Sequence, residues 1–230
     1  MQAVILAGGL GTRLRPITER IPKPMVEISG EPFLARIIRW LAQQDFRRLL
    51  LLLGYRGEVV SDYFGDGKRF GVSIEYNCEP SPLGTGGALR YALERLEDQF
   101  LLLYGDSYLP IDYNKVVAAF VTPPCSGLMV VYDNHLVNTG VTNNVAMGLD
   151  SWVTRYAKNE GDSELKYVEA GALCFRKKVV ESLPAGRVIS LEQEIYPELI
   201  AQQQLRGFTT TQRFFDIGTP ERLEEFVSKL

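Results

Sequence analysis

Near the amino terminus, glycines and three fixed cations are spaced as a polyphosphate would require. Leu6, Ala7, Gly8, Gly9, Gly11 and Thr12 lead into Arg13 and Arg15, and Pro22-Lys23-Pro24 follows. Glycine carries no Cβ, so the backbone turns sharply there and its N–H groups can approach a ligand closely. Arginine adds a planar fork that matches phosphate oxygens, and lysine adds a point charge. Two familiar phosphate loops are excluded. No Gly-Lys-Ser/Thr occurs in the chain, as a mononucleotide P-loop needs. Gly9-x-Gly11 begins a dinucleotide fingerprint, but position 14 is Leu, and Pro16, Pro22 and Pro24 prevent a helix from starting at the turn. A long, proline-stiffened loop therefore carries the cations.

Two carboxylates stand out downstream. Asp106 follows Gly105 just past an apolar run, where it can serve as a turn former, a helix cap or a ligand for a hard cation. Asp216 lies between Phe215 and Ile217 ahead of Gly218-Thr219-Pro220. The only histidine, His135, falls in the polar segment Asp133-Asn134-His135 and reads as a surface residue. No Ser-His-Asp set, Cys-x-x-Cys or paired general acid and base accompanies these groups. A phosphoryl-type transfer between ionised phosphates needs none of them. It needs positive charge, aligned attacking and leaving oxygens, and a metal on the phosphates.

Gly-Gly-x-Gly-Thr-Arg-Leu-x-Pro with Pro-Lys-Pro-Met resembles the signature of the sugar-1-phosphate nucleotidyltransferases, in particular the short single-domain bacterial type. The likeness recurs in order at Leu83-Gly84-Thr85-Gly86-Gly87-Ala88, Tyr104-Gly105-Asp106, Val168-Glu169-Ala170-Gly171 and Phe215-Asp216-Ile217-Gly218-Thr219-Pro220, so it spans nearly the whole chain. It implies transfer of a nucleotidyl group from a nucleoside triphosphate to a sugar 1-phosphate, with release of pyrophosphate. It also implies Mg²⁺ shared by Asp106 and Asp216. Arg13 would hold the leaving pyrophosphate, Lys23 the α-phosphoryl region, and Leu6, Ala7, Gly8, Gly9, Gly11, Thr12, Arg13, Glu79, Gly84 and Thr85 the nucleotide. Lys158 would grip the sugar phosphate, although the family's Glu-Lys-Pro context is here Ala157-Lys158-Asn159. Glu169 and Gly171 match the sugar contact, a carboxylate accepting hydroxyl hydrogens beside a glycine that leaves room for the ring. Glu79 stands where relatives that use dTTP carry a Gln that reads the base. As a carboxylate it can accept from guanine, from uracil N3–H or from a cytosine amino group, or equally be a loop carboxylate that points away from the base; the base is undecided, with guanylyl and uridylyl transfer slightly favoured.

The elements that must position these residues alternate. Ala3–Ala7, Leu49–Leu53, Val72–Tyr76 and Phe100–Tyr104 read as strands. A helix from Pro32, with the proline in its first position, a short helix over Gly57–Phe64 and a helix over Gly86–Leu96 lie between them. This predicts a doubly wound, Rossmann-like α/β fold, its mixed but mostly parallel sheet carrying helices on both faces, of the nucleotidyltransferase (GT-A-like) type. In such sheets ligands lie beyond the carboxyl ends of the strands, where the glycine loop and Asp106 both fall. Further on, strands are expected at 128–132, 145–149, 153–156 and 167–175, a helix over Ser190–Gln203, and a last helix with Pro220 in its first position. The whole of 1–230 reads as one catalytic domain, roughly 1–110 for the nucleotide and 111–230 for the sugar phosphate, with no further repeat domain.

A net charge of −3 without long basic runs argues against a nucleic-acid partner, so cations must be placed locally. Three cysteines at 78, 125 and 174 show no metal spacing and leave an odd one, as expected of reduced thiols in the cytoplasm. Leu49–Leu53 is too short to span a bilayer and no leader precedes the first strand, so no membrane partner is expected. Self-association into a homo-oligomer stays open. Two other readings remain: a cytidylyltransferase acting on phosphocholine or a similar alcohol phosphate, favoured only if Tyr156 and Tyr167 belong to an aromatic cage, and a non-catalytic nucleotide-sensing subunit of the same fold.

Overall fold

A computed structural model describes residues 1–122, 125–134, 139–158 and 162–229; His135 lies outside them. The first half runs β1 (Gln2–Leu6), the two-residue ribbon β2 (Glu27–Ile28) and β3 (Glu31–Pro32), α1 (Phe33–Gln43), β4 (Arg48–Leu53), α2 (Gly57–Phe64), β5 (Ser73–Cys78), α3 (Gly84–Tyr91) and β6 (Gln99–Tyr104). It continues through β7 (Ser107–Tyr108), α4 (Tyr113–Val121), β8 (Gly127–Asp133), β9 (Val145–Met147), β10 (Val153–Tyr156) and β11 (Tyr167–Arg176). The chain then forms α5 (Lys177–Glu181), α6 (Tyr196–Ala201), β12 (Leu205–Thr210), β13 (Phe215–Asp216) and α7 (Pro220–Ser228).

The main sheet runs β10-β9-β11-β6-β1-β4-β5, with β8 pairing β11 and β12 off that path. β6, β1, β4 and β5 are mutually parallel, and so are β8 and β12. β11 enters antiparallel to β6, β8 and β9 and so joins the two halves into one sheet. The expected mixed, mostly parallel doubly wound sheet is what forms.

Unbroken apolar runs become strands here because both faces are covered. Leu49, Leu51 and Leu53 pack with Ala3, Ile5, Leu101 and Leu103 against α1, α2, α4 and α7. Leu50 and Leu52 pack with Val4, Phe100 and Leu102 against α3, α5 and α6. Period-two alternation thus divides one leucine run between two cores.

Local readings shift in a few places. Pro32 is the residue ahead of α1 rather than its first helical residue, because it is engaged in the β2–β3 ribbon. The helix expected over Gly86–Leu96 starts earlier, at Gly84, and breaks at Ala92 into a 3₁₀ turn over Leu93–Arg95. The one expected over Ser190–Gln203 opens as a wide π-type turn at Leu191–Ile195 before α6 begins, and Pro197 near the start of α6 lacks the N–H an uninterrupted helix would use.

Candidate active site

The glycine loop is fastened between two strands. The Ala7 N–H donates to the Leu52 carbonyl at 2.9 Å, and the Gly105 N–H donates to the Leu6 carbonyl at 2.8 Å. The loop and the residues after β6 therefore leave the sheet side by side. At Gly11 the backbone turns left-handed, with φ of 61°, and its carbonyl accepts from the Thr18 hydroxyl at 2.7 Å. A Cβ on Gly11 would lie 2.9 Å from Thr18 and 3.0 Å from Lys23, so only glycine lets the proline-rich segment fold back this closely. That return buries Lys23, 7% exposed, within a 3₁₀ turn over Lys23–Met25. Its ammonium pairs with the Asp106 carboxylate. A cation this far from water needs such an anion.

A cleft of about 470 Å³ opens at this edge. Leu6, Ala7, Gly8, Gly9, Gly11, Thr12, Arg13, Glu79, Gly84 and Thr85 all line it, as do Lys23 and Asp106. Every residue expected to meet the nucleotide thus shares one cavity at the carboxyl ends of β1, β4 and β6. Glu79 stands close to the glycine backbone: its Oε1 would be 2.9 Å from a Cβ on Gly54 and 3.3 Å from one on Gly8. Burial pushes its carboxyl above the usual range, against the Leu83 N–H that donates to it at 3.2 Å.

Asp106 and Asp216 meet across a second small ribbon. β13 pairs β7, setting Asp216 opposite Ser107, and the Ile217 N–H donates to the Asp106 carbonyl at 3.0 Å. The Asp216 carboxylate does not line the cleft. Arg222 of α7 holds both its oxygens, at 3.0 and 2.8 Å, and the Gly218 N–H donates to Oδ1 at 2.8 Å. Gly218 does line the cleft, and Arg13 Nη2 lies 3.3 Å from where a Cβ on it would be. No group of three or more His, Cys, Asp or Glu able to hold a metal occurs among the described residues. Asp106, in the turn between β6 and β7, and Asp216, on β13, are nevertheless hard carboxylates of the kind that fits Mg²⁺, which usually takes one or two carboxylates and completes its shell with water and substrate phosphate.

The sugar-end candidates gather on the other side of β6. Gly171, with φ of 76°, falls where the β11–β8 register shifts, and a Cβ there would lie 2.8 Å from the Ser107 Cβ. Glu169, two residues earlier, accepts from the Tyr156 hydroxyl at 3.1 Å and the Tyr196 hydroxyl at 3.0 Å. Burial, reinforced by the nearby Glu192 charge, raises its carboxyl to about 7, with both tyrosines and Lys158 pulling the other way. Lys158 is exposed and outside the cleft lining, yet its charge reaches both Glu169 and Glu192.

Glu192 has no forerunner among the sequence motifs, nor does Arg222. Its Oε2 accepts from the Ser190 hydroxyl at 2.8 Å and the Thr85 hydroxyl at 3.1 Å, and its Oε1 from Tyr104 at 3.1 Å. Burial pushes this carboxyl up, but its own backbone N–H, Ser190, Lys158 and Tyr104 together outweigh burial and hold it below the usual range. The one available signal was Ser190 followed by acidic residues at the start of a helix, which reads as an ordinary cap.

The sequence matches the nucleotidyl transferase family over residues 2–230. It is 32% identical to the D-glycero-alpha-D-manno-heptose 1-phosphate guanylyltransferase of Campylobacter jejuni, covering 99% of both chains. It is 30% identical to the mannose-1-phosphate guanylyltransferase of Mycobacterium tuberculosis, covering 96% of this chain but only 62% of that enzyme's length. The crystal structure of HddC from Yersinia pseudotuberculosis complexed with GMP-PN superposes with a TM-score of 0.82, at 30% identity, over 99% of this chain and 98% of that one. The chain belongs to the nucleotidyl transferase family, the one its motifs resemble. Among the described residues no helix is long and apolar enough to cross a membrane.

Proposed function

We propose that this protein transfers guanylyl from GTP to a hexose or heptose 1-phosphate, releasing pyrophosphate and forming a nucleoside-diphosphate sugar. The observation that carries the reading is a single cleft lined by the glycine loop, Arg13, Lys23, Asp106 and the Glu79 carboxylate. An ionised Glu79 accepts hydrogen bonds but gives none. Guanine offers N1–H and the N2 amino group side by side, a better complement than the lone N3–H of uracil. The likeness to guanylyltransferases over the whole chain supports that choice.

A sugar-phosphate oxygen attacks the α-phosphorus of the triphosphate, and the bond to the β-phosphate oxygen breaks as pyrophosphate departs. Both reactants are already ionised, so the residues contribute alignment and positive charge. Lys23 meets the charge that grows on the α-phosphoryl oxygens, Arg13 holds the leaving pyrophosphate, and Lys158 orients the attacking phosphate. Asp106 and Asp216 would hold Mg²⁺, which supplies charge neutralisation and a clamp on the phosphates when bound.

The tyrosines at the sugar end favour a polyol over a quaternary ammonium. Tyr104, Tyr156 and Tyr196 direct their hydroxyls to carboxylates instead of forming an open cage of ring faces. The test is pyrophosphate release with GTP, UTP, CTP, dTTP and ATP against mannose, glucose and heptose 1-phosphates and phosphocholine. GTP with one of the sugar phosphates is expected to lead by at least about tenfold in kcat/KM. Preference for CTP with phosphocholine, or no turnover with any pair, would overturn the proposal.

A further inference from the structure

Four oxygens form a line between the two halves of the molecule. Glu169 Oε1 is 3.0 Å from the Tyr196 hydroxyl, that hydroxyl is 3.3 Å from the Tyr104 hydroxyl, and the Tyr104 hydroxyl is 3.1 Å from Glu192 Oε1. Three contacts require three hydrogens, and two tyrosines supply only two. If both carboxyls were ionised, Tyr196 would donate to Glu169 and Tyr104 to Glu192, leaving two oxygen lone pairs opposed between the rings. One proton on Glu169 completes the series: Glu169 donates to Tyr196, Tyr196 to Tyr104, and Tyr104 to Glu192.

The surroundings decide which end carries that proton. Glu192 is the better-solvated anion, since Oε2 already accepts from Ser190 and Thr85. Among the described residues Glu169 has only the Tyr156 hydroxyl besides the line itself. The titratable groups facing Glu169 are Glu192, Tyr156, Tyr196 and the more distant Lys158, and the direction of their combined effect with burial agrees with the proton count. Tyr196 is wholly enclosed, whereas Glu169, Glu192 and Tyr104 keep partial exposure. Thr85 and Tyr104 also line the nucleotide cleft.

We propose that Glu192 is a positioning residue for the sugar substrate: as the fixed anion at one end of this line it keeps a proton on Glu169, so the sugar meets a carboxylic acid able to donate as well as accept. The inference rests on the proposed function and assigns Glu169 a different hydrogen-bonding role from the pure acceptor its motif implies. A sugar hydroxyl can then give its hydrogen to one Glu169 oxygen while a second sugar oxygen receives the acid proton. Glu192 itself acts through Tyr104 and Tyr196.

The experiment compares wild type with Glu192→Gln, Tyr196→Phe and Glu169→Gln in the full chain. Infrared difference spectra across the pH range report a protonated carboxyl directly, without turnover. Wild type is expected to show that carbonyl band at neutral pH and Glu169→Gln to lack it, while Glu192→Gln shows it only at lower pH and Tyr196→Phe, which breaks the line, shifts its pH range. In steady state at neutral pH, Glu192→Gln should raise KM for the sugar 1-phosphate about tenfold, the equivalent of one lost hydrogen bond, while KM for GTP changes less than about twofold. Absence of the band in wild type, or a band that neither Glu192→Gln nor Tyr196→Phe moves, would overturn the inference, as would equal changes in the two KM values. An inactive wild type with the band intact would instead overturn the functional reading alone.

Discussion

Replacing Glu169 by Gln should stabilise the protein at alkaline pH relative to its effect in mild acid. Burial first, and then the Glu192 charge, raise the carboxyl from 4.5 in the open chain to about 7 in the fold. The folded state therefore binds a proton that the unfolded state has released, and stability falls as pH rises between those two values. Below about 4.5 both states hold the proton and no penalty exists; above about 7 the penalty is complete. A difference of some 2.5 units corresponds to about 3 kcal/mol at most, and partial exposure of the side chain reduces this to about 2 kcal/mol. Gln keeps the shape and cannot ionise, so whatever its packing costs, that cost is the same at both pH values. Urea unfolding of wild type and Glu169→Gln at pH 5 and pH 8 gives the double difference. The substitution should be more favourable at pH 8 by about 2 kcal/mol, roughly an eighth to two-fifths of a typical domain's total stability. An effect equal at both pH values, or larger at pH 5, would refute the account of Glu169 as a group strained by ionisation.

Lys23→Ala should lower kcat by about 10²–10³ with a smaller change in KM, since its charge acts where charge develops; stopped-flow pyrophosphate detection reads this, and an unchanged kcat would remove Lys23 from the transition state. Asp106→Asn and Asp216→Asn should fold, as judged by circular dichroism, yet lose Mg²⁺-dependent turnover; full activity in Asp216→Asn would leave that residue as the partner of Arg222 alone. Lys158→Ala should raise KM for the sugar 1-phosphate while sparing that for GTP, and kinetics identical to wild type would show that the exposed lysine serves no substrate. Glu79→Gln should reduce kcat/KM for GTP by about tenfold or more and narrow the gap to UTP; an unaltered ranking of nucleotides would show that Glu79 does not read the base.

The glycine-loop end of the site was legible in the sequence because its signals are local. Apolar runs mark doubly covered strands, and glycines and prolines mark the loop that leaves β1, so the ten nucleotide candidates fall together in one cleft. The cluster around Glu169 was harder, for a physical reason: its side chains meet through tertiary contacts that no spacing records. Glu192 reaches Thr85 across 107 positions and Tyr104 across 88. In the sequence it is one more acidic residue in a helical stretch. The strand at Leu205–Thr210 also escaped, because Arg206, Gly207 and two threonines give no apolar run; it forms by extending the sheet alongside β8. Arg222 could be placed on α7, but the hold of its Nη1 on both Asp216 oxygens depends on how that helix packs after the Gly218 turn.

The charge arrangement explains how a chain of net charge −3 can accept a polyphosphate. Lys23 has Asp106, Arg222 has Asp216, and Lys158 stands near Glu169 and Glu192. A buried ammonium without an anion would be costly, so Lys23 cannot wait for substrate unpaired. On the proposed function, the oxygens of a triphosphate entering the cleft would take over Lys23 and leave Asp106 with an uncompensated negative charge. That carboxylate then suits the cation that neutralises the phosphates. On that reading, binding at Lys23 is an exchange of partners rather than an addition of charge. Mutating either member of the Lys23–Asp106 pair disturbs both the resting balance and the exchanged one, which is why a stability measurement must accompany the kinetics of each variant.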